Sequence, residues 1–378
     1  MEGEQREKHL GQLRQDLRDD AGLYTRPDIR RIHRNTVAAE SRKKLLLLAT
    51  GGTIASAEGA EGLEPEYSIE DVLHLLNAPL DFYDIEARDI LSLDSSNIQP
   101  EEWRIIAEAI VQDIDHYDGI VITHGTDTMA YTASVLSFML QGLPIPIVLT
   151  GAQRPITEVL SDASTNLLTA FAMAASGLPG VFLAFGGEVI LGSRAVKTHT
   201  SRFQAFESVN LPAVARIDTR GLHFNSQILP YLRSLHADRP FEARLDLCTD
   251  VFLLKLTPGM RPELFDHLLA MEYKGLVIEA FGIGGIHFLH RDLIQGLEKL
   301  LQQGIPVVVT SQCLYEHTDF SLYATGRKLL EKGAIEAFDM TSEAAVTKLI
   351  WALGQKEDID YCRMIFDRDL AGEVHIQA

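Results

Sequence analysis

The chain has 378 residues, 46% of them apolar, and a formal charge of −19 at pH 7. That length allows two domains with full-sized cores, and the negative balance excludes a general nucleic-acid binder, which needs a basic face. Three cysteines, Cys248, Cys313 and Cys362, stand far apart with no CxxC pair, which predicts reduced thiols in a cytosol.

Residues 1–43 are rich in Arg and Asp and have few large apolar side chains. They predict a polar extension that packs weakly or serves an oligomer contact. The opening, MEGEQREKHLGQLRQDLRDD, is charged throughout and lacks the apolar stretch of a secretory signal. No uninterrupted apolar run approaches the roughly 18 residues of a membrane helix. The expectation is a soluble cytoplasmic protein.

From Leu45 a regular alternation sets in. Short apolar runs, LLLLAT (45–50), GIVITHG (119–125), PIVLTGA (146–152) and GVFLAFGG (180–187), predict strands. Between them lie helical periods. Trp103, Ile106, Ile110 and Ile114 fall on one face of 101–114, and TDTMAYTASVLSFMLQ and SDASTNLLTAFAMAAS each open on capping residues. Strands apolar on both faces and alternating with helices predict a parallel sheet covered on both sides. Over 210–250 the period fails, which reads as a linker with a hairpin. A second alternation follows in VFLLKL (251–256), GLVIEAFG (275–282) and PVVVTSQ (306–312), with helices near 262–272, 291–302 and 342–354. The expected fold is α/β, with two doubly wound domains of mainly parallel strands. The larger spans 44–222, a linker spans 223–249, and a smaller, flavodoxin-like domain spans 250–378.

Ligands of such sheets sit where strands end and loops feed the next helix. That rule directs attention to Thr50–Thr53, Thr123–Thr128, Thr150–Gln153, Gly186–Glu188, Gly282–Gly285 and Ser311–Cys313. TGGTIAS (50–56) lacks the Lys-Ser/Thr of a Walker loop. A tight turn, an active hydroxyl and an anion site all remain open for it. In ITHGTDTMAYTA (122–133), Thr126, Asp127 and Thr128 crowd one helix start, where a single cap would suffice. Lys197, in LGSRAVKTHTSRF, reads as surface unless the fold carries it to Thr126. A threonine hydroxyl needs a neighbouring base to become a nucleophile, and a lysine amine can serve. Asp94, Ser95 and Ser96 precede a helix and read as turn and cap. FGIGGIHF (281–288) is a poor dinucleotide fingerprint. The histidines do not complete a metal set, so neither cofactor nor metal is expected.

TGGTIAS, HGTDTMAYTA, LTGAQRPI and DMTSEAAVTKL occur in that order. With them the chain resembles the bacterial-type L-asparaginases of cytosolic type I, from about Leu45 to near Ala371. The resemblance implies hydrolysis of the asparagine side-chain amide through an acyl-enzyme. Thr53 resembles the primary nucleophile. Thr126, Lys197 and Asp127 resemble a second, triad-like group with Lys197 as base. Asp127 also matches the position that holds the substrate's α-amine, and Ser95 and Ser96, next to Asp94, match those that hold its α-carboxylate. Many relatives carry a tyrosine soon after TGGT, where this chain has Leu63, so Tyr67 or Tyr323 is expected to take that part. Glu279 and Gly285 stand where some relatives have an Arg and an Asn of a second asparagine site, which implies a weakened or absent site. The resemblance also implies a homodimer or homotetramer. Two alternatives share the core: an ammonia-releasing subunit of a tRNA-dependent amidotransferase, and a catalytically silent binding relative.

Overall fold

The computed structural model describes residues 42–59, 62–65, 67–76, 80–237 and 239–375. All but the last two residues of the extension expected over 1–43 therefore lie outside the described residues. The described residues from Lys43 onward form one compact unit.

Strand β1 (Lys43–Gly51) is followed by helix α1 (Ile69–Leu75), β2 (Tyr83–Leu93), α2 (Pro100–Asp113), β3 (Gly119–Thr123) and α3 (Met129–Met139). Next come β4 (Pro146–Thr150), α4 (Ala163–Ala174), β5 (Gly180–Phe185) and β6 (Glu188–Leu191). A two-stranded hairpin, β7 (Ala195–Lys197) with β8 (Phe206–Ser208), leads into β9 (Ala215–Asp218) and β10 (Gly221–Phe224). The large sheet has the order β10-β9-β6-β5-β4-β3-β1-β2. Its strands from β2 to β5 are parallel.

Alternation along β1 explains the layering. Leu45, Leu47 and Ala49 enter a core with Leu167, Ala170 and Phe171 of α4, while Leu46 and Leu48 enter another with Ile106 and Ile110 of α2 and Leu136 of α3. Each apolar strand thus feeds two cores, and neither face of the sheet is left to water. Strand β2 is not apparent in the sequence because it lies at the sheet edge. Its residues alternate between exposed and half-buried, so it shows no apolar run.

The segment expected to be a linker contains helix α5 (Leu229–His236). Its Leu232 and Leu235 are buried in the core that holds α4, which is why it folds despite its polar composition.

The second sheet consists of β11 (Val251–Lys255), β12 (Gly275–Ala280), β13 (Val307–Ser311) and the short β14 (Ile335–Glu336), all parallel and in chain order. Helices α6 (Glu263–Ala270), α7 (Leu293–Gln302) and α8 (Ala324–Glu331) contribute Phe265, Leu297 and Leu329 to one core on this sheet. The other face meets α9 (Ser342–Gln355). The strand order corrects one expectation. The reversal of a flavodoxin-like sheet is found in the first sheet, as β2-β1-β3-β4-β5, and not in the second. The second needs no reversal, since α9 covers the face that the three crossover helices leave open.

Helix α9 also joins the two sheets. Val277 and Val308 below it and Phe138 of α3 above it belong to one core, with the Phe138 and Trp351 rings 6.3 Å apart. Helix α10 (Ile359–Phe366) follows, and the chain then runs back to the first sheet. Among the described residues no helix is long and apolar enough to cross a membrane.

Candidate active site

In the first sheet β1 and β3 are neighbours, and the chain leaves them for opposite sides of the sheet. That is the topological switch point, where such sheets leave a crevice at the strands' carboxyl ends. Thr53 follows β1 and Thr126 follows β3.

Glycines let the loops at this point nest. Gly51 (φ 103°) and Gly52 (φ 89°) adopt left-handed backbone that side chains disfavour. A Cβ on Gly51 would lie 2.5 Å from the Leu93 backbone, and one on Gly52 would lie 2.5 Å from the Gly125 nitrogen. A Cβ on Gly125 would lie 2.6 Å from Ser95 Oγ. The three loops after β1, β2 and β3 are thus in close contact.

Thr53 opens a single 3-10 turn, Thr53–Ala55, and is half-buried. Ser56 Oγ donates to Gly52 O at 3.1 Å, and Tyr67 N–H donates to Ala55 O at 3.0 Å. Thr126 is 8% exposed. Lys197 Nζ donates to Thr126 Oγ1 at 2.8 Å and to Asp127 Oδ1 at 2.5 Å. The lysine side chain is 15% exposed and the aspartate 62%. The structure therefore brings together Thr126, Asp127 and Lys197, although the lysine is about 70 positions from the other two in sequence.

Simple capping does not account for the crowded polar residues at the start of α3. Thr128 is the N-cap residue but makes no side-chain cap bond. Its Oγ1 donates instead to Ser95 O at 2.7 Å, and the Asp127 N–H donates to Ser95 Oγ at 3.2 Å. Asp94 does cap its turn, accepting the Ser96 N–H at 2.8 Å and the Ser96 hydroxyl. Hydrogen bonds from Ser96 hold the Asp94 carboxyl below its usual range. Ser95 is 2% exposed and braces two loops, while Ser96 is exposed.

His124 opens the HGTDT stretch and lies under this loop, a residue to which the sequence alone gives no role. It is fully buried, with Nδ1 2.7 Å from Gly125 O and Nε2 2.9 Å from Thr132 Oγ1. Burial pushes its pKa down to about 4 despite the Gly125 carbonyl. The neutral ring then donates from Nδ1 and accepts at Nε2. Thr132 in turn accepts from Trp103 Nε1 at 3.0 Å. Gln153, three residues after β4, donates to Arg202 O at 3.0 Å and Thr200 O at 3.3 Å, tying down the loop that follows Lys197.

Two tyrosines are candidates to assist Thr53. Tyr67 lies close in chain and packs against the core of β1 and α4. Tyr323 belongs to the second sheet's layer, at the N-cap of α8, and is 59% exposed. No hydrogen bond joins Tyr323 to either threonine within the described residues.

Fold and sequence together define an amidohydrolase with an asparaginase-type pair of sheets. The family model for Asparaginase, N-terminal matches residues 44–230, and that for the Glutaminase/Asparaginase C-terminal domain matches residues 250–366. The chain belongs to the bacterial-type L-asparaginase family. It is 45% identical to an L-asparaginase of Thermococcus kodakarensis over 332 residues, covering 88% of this chain and 99% of that protein. The solved structure of the thermostable L-asparaginase from T. kodakarensis aligns with a TM-score of 0.82 at 43% identity, over 88% of this chain and 100% of that one. L-asparaginase I from Vibrio cholerae aligns at 0.78 and 29% identity, over 89% and 100%. One component of the glutamyl-tRNA(Gln) amidotransferase of Methanosphaera stadtmanae is 37% identical over 89% of this chain and 78% of that protein.

Proposed function

We propose that this enzyme hydrolyses L-asparagine to L-aspartate and ammonia through an acyl-enzyme on Thr53. The observation that carries the reading is the Lys197–Thr126–Asp127 contact at the strand end beside the Thr53 loop. In this reading the Thr53 hydroxyl attacks the carboxamide carbon and a general base takes its proton. Collapse of the tetrahedral adduct breaks the C–N bond, and ammonia leaves with a proton. Water then attacks the ester, releasing aspartate and restoring Thr53. Lys197 serves Thr126 as base, and Asp127 orients the lysine. The Thr126 N–H, unpartnered among the described residues, is suited to the developing oxyanion.

Substrate recognition follows from charge. An amino acid presents an α-ammonium, matched by the exposed Asp127 carboxylate, and an α-carboxylate, matched by hydroxyl donors on Ser95 and Ser96. Ser95 Oγ accepts from Asp127 N–H, which leaves its own proton to give. Asp94 keeps that turn in place. Tyr323, supplied from the second domain, or Tyr67 is proposed to assist Thr53, and the enzyme is proposed to be a homodimer or homotetramer. We further propose a cytoplasmic enzyme, with functional domains at 44–222 and 250–378.

The test is ammonia release from asparagine by purified protein, with glutamine alongside. Thr53→Ala should lower turnover by about six orders of magnitude with unchanged circular dichroism, the scale seen when a nucleophile is removed. Retained turnover would overturn the assignment. The similarity to the amidotransferase component supports a second reading, ammonia supply for amidation of charged tRNA. That reading gains if asparagine is hydrolysed only when such a partner is present.

A further inference from the structure

The hairpin that carries Lys197 is held at both feet by a single residue of the second sheet's layer, Asp339. At the first foot stands Arg194, fully buried, three residues before Lys197. Its Nη1 lies 3.0 Å from Asp339 Oδ2 and 3.1 Å from Asp339 O, and its Nε donates to Gly372 O at 2.7 Å. At the second foot stands Asn210, two residues after β8, in left-handed backbone (φ 57°). Its Nδ2 donates to the same Asp339 carbonyl at 2.9 Å and to Glu316 O at 3.3 Å. The C-terminal segment closes the arrangement. Ser193 Oγ donates to Ala371 O at 2.9 Å, His375 N–H donates to Asp339 Oδ1 at 2.8 Å, and His375 Nδ1 lies 2.7 Å from Oδ2. Burial opposes ionisation of Asp339, but Arg194 and the His375 bonds outweigh it and keep the carboxyl below its usual range.

The turn at Gly192–Arg194 also packs on α3, the helix that starts just after Thr126 and Asp127. A Cβ on Gly192 would lie 3.0 Å from Ala133 O, and Ser134 Oγ donates to Gly192 O at 3.3 Å. The turn is therefore fixed on one side to the element carrying Thr126 and on the other to Asp339 and the chain's end. Lys197 has a long side chain on a flexible four-carbon stem, and its reach to Thr126 depends on where β7 is pinned. We infer that the Asp339–Arg194–Asn210 clamp is a positioning device for Lys197, which couples the second sheet and the C-terminal segment to the catalytic end of the first. The inference deepens the proposed function and rests on Lys197 acting there as base.

The test compares Asp339→Asn and Asn210→Gly with the parent. Asn210→Gly keeps the left-handed backbone accessible while removing both side-chain bonds. The first readout is acylation of lysines by a water-soluble N-hydroxysuccinimide ester, site by site by mass spectrometry. Labelling of Lys197 should rise about fivefold or more through local opening while fully buried Lys348 stays protected. The second readout is turnover of asparagine. The turnover number should fall about tenfold with KM nearly unchanged, as expected when only the transition-state arrangement loosens. Unchanged Lys197 labelling, or a rise matched by Lys348, would overturn the clamp. Variants that label as expected beside a parent that releases no ammonia from asparagine would sink the asparaginase reading and leave the clamp standing.

Discussion

Gly52 and Gly125 face each other so closely that a Cβ on Gly52 would lie 2.5 Å from the Gly125 nitrogen. Backbone against backbone leaves nothing flexible to yield. Gly52→Ala also demands a positive φ of an L-residue, so it should cost about 1–3 kcal/mol in strain alone. The displaced loop should abolish most turnover. Gly125→Ala meets a side chain, Ser95 Oγ at 2.6 Å, and should be milder in stability while still lowering turnover. Urea titrations beside ammonia assays would separate the two, and near-parental turnover in Gly52→Ala would contradict the nested-loop geometry.

Lys197 and Asp127 should differ in what they cost. Lys197→Met removes the donor that contacts both Thr126 and Asp127, and its turnover should drop about a thousandfold or more, as when a general base is lost. Asp127→Asn should raise KM as well as lower turnover, because the exposed carboxylate is assigned to the substrate ammonium. Equal KM in both variants would separate Asp127 from substrate binding.

His124 makes the fold sensitive to acid. Its pKa falls from about 6.5 in the unfolded chain to about 4 in the fold. Below 6.5 the unfolded chain therefore binds a proton that the fold refuses. Stability is complete above 6.5 and declines towards pH 4 by about 3 kcal/mol from this residue. His236, also pushed to about 4 by burial and by Arg239, acts in the same sense. His124→Gln should be less stable at neutral pH yet lose less between pH 7 and 4.5. Denaturant midpoints at the two pH values would check this, and an equal loss in parent and variant would exclude the mechanism.

Lys348 and Glu373 form an ion pair with both side chains fully buried. Burial lowers the lysine pKa, while the partner charge holds the glutamate ionised. Removing one partner leaves an uncompensated charge, so Lys348→Met should cost about 3–5 kcal/mol. Lys348→Met with Glu373→Gln should cost less than the sum of the two single changes. Additive losses in thermal melts would show that the pair does not act as a unit.

By the resemblance that the sequence carries, Glu279 is expected to stand where some relatives have an Arg of a second asparagine site. Here its carboxylate accepts from Ser342 Oγ at 2.6 Å and pairs with Lys255 at 3.2 Å. A negative group already engaged on both oxygens is poorly suited to receive a substrate carboxylate. The expected dependence of rate on asparagine is hyperbolic. A sigmoidal curve abolished by changes beside Cys313 would reverse this proposal.

Much of the first sheet was legible in the sequence because its strands are buried on both faces and so read as continuous apolar runs. TGGT and HGTDT stood out because each ends such a run with more hydroxyls and glycines than a turn requires. The half-exposed edge strand β2 and helix α5 carried no comparable pattern. Arg194, Asp339 and His124 lie within stretches that the sequence marks out, yet their own roles were silent for another reason. A buried charge or ring is distinguished from a surface one only by its partners, and those lie up to 181 positions away in the chain. Local composition determined which segments became strands and helices and which strand ends were polar. Tertiary structure alone decided that Lys197 meets Thr126 and that Asp339 holds both feet of the lysine hairpin, since hydrogen bonds depend on distance in space and leave no trace in spacing along the chain.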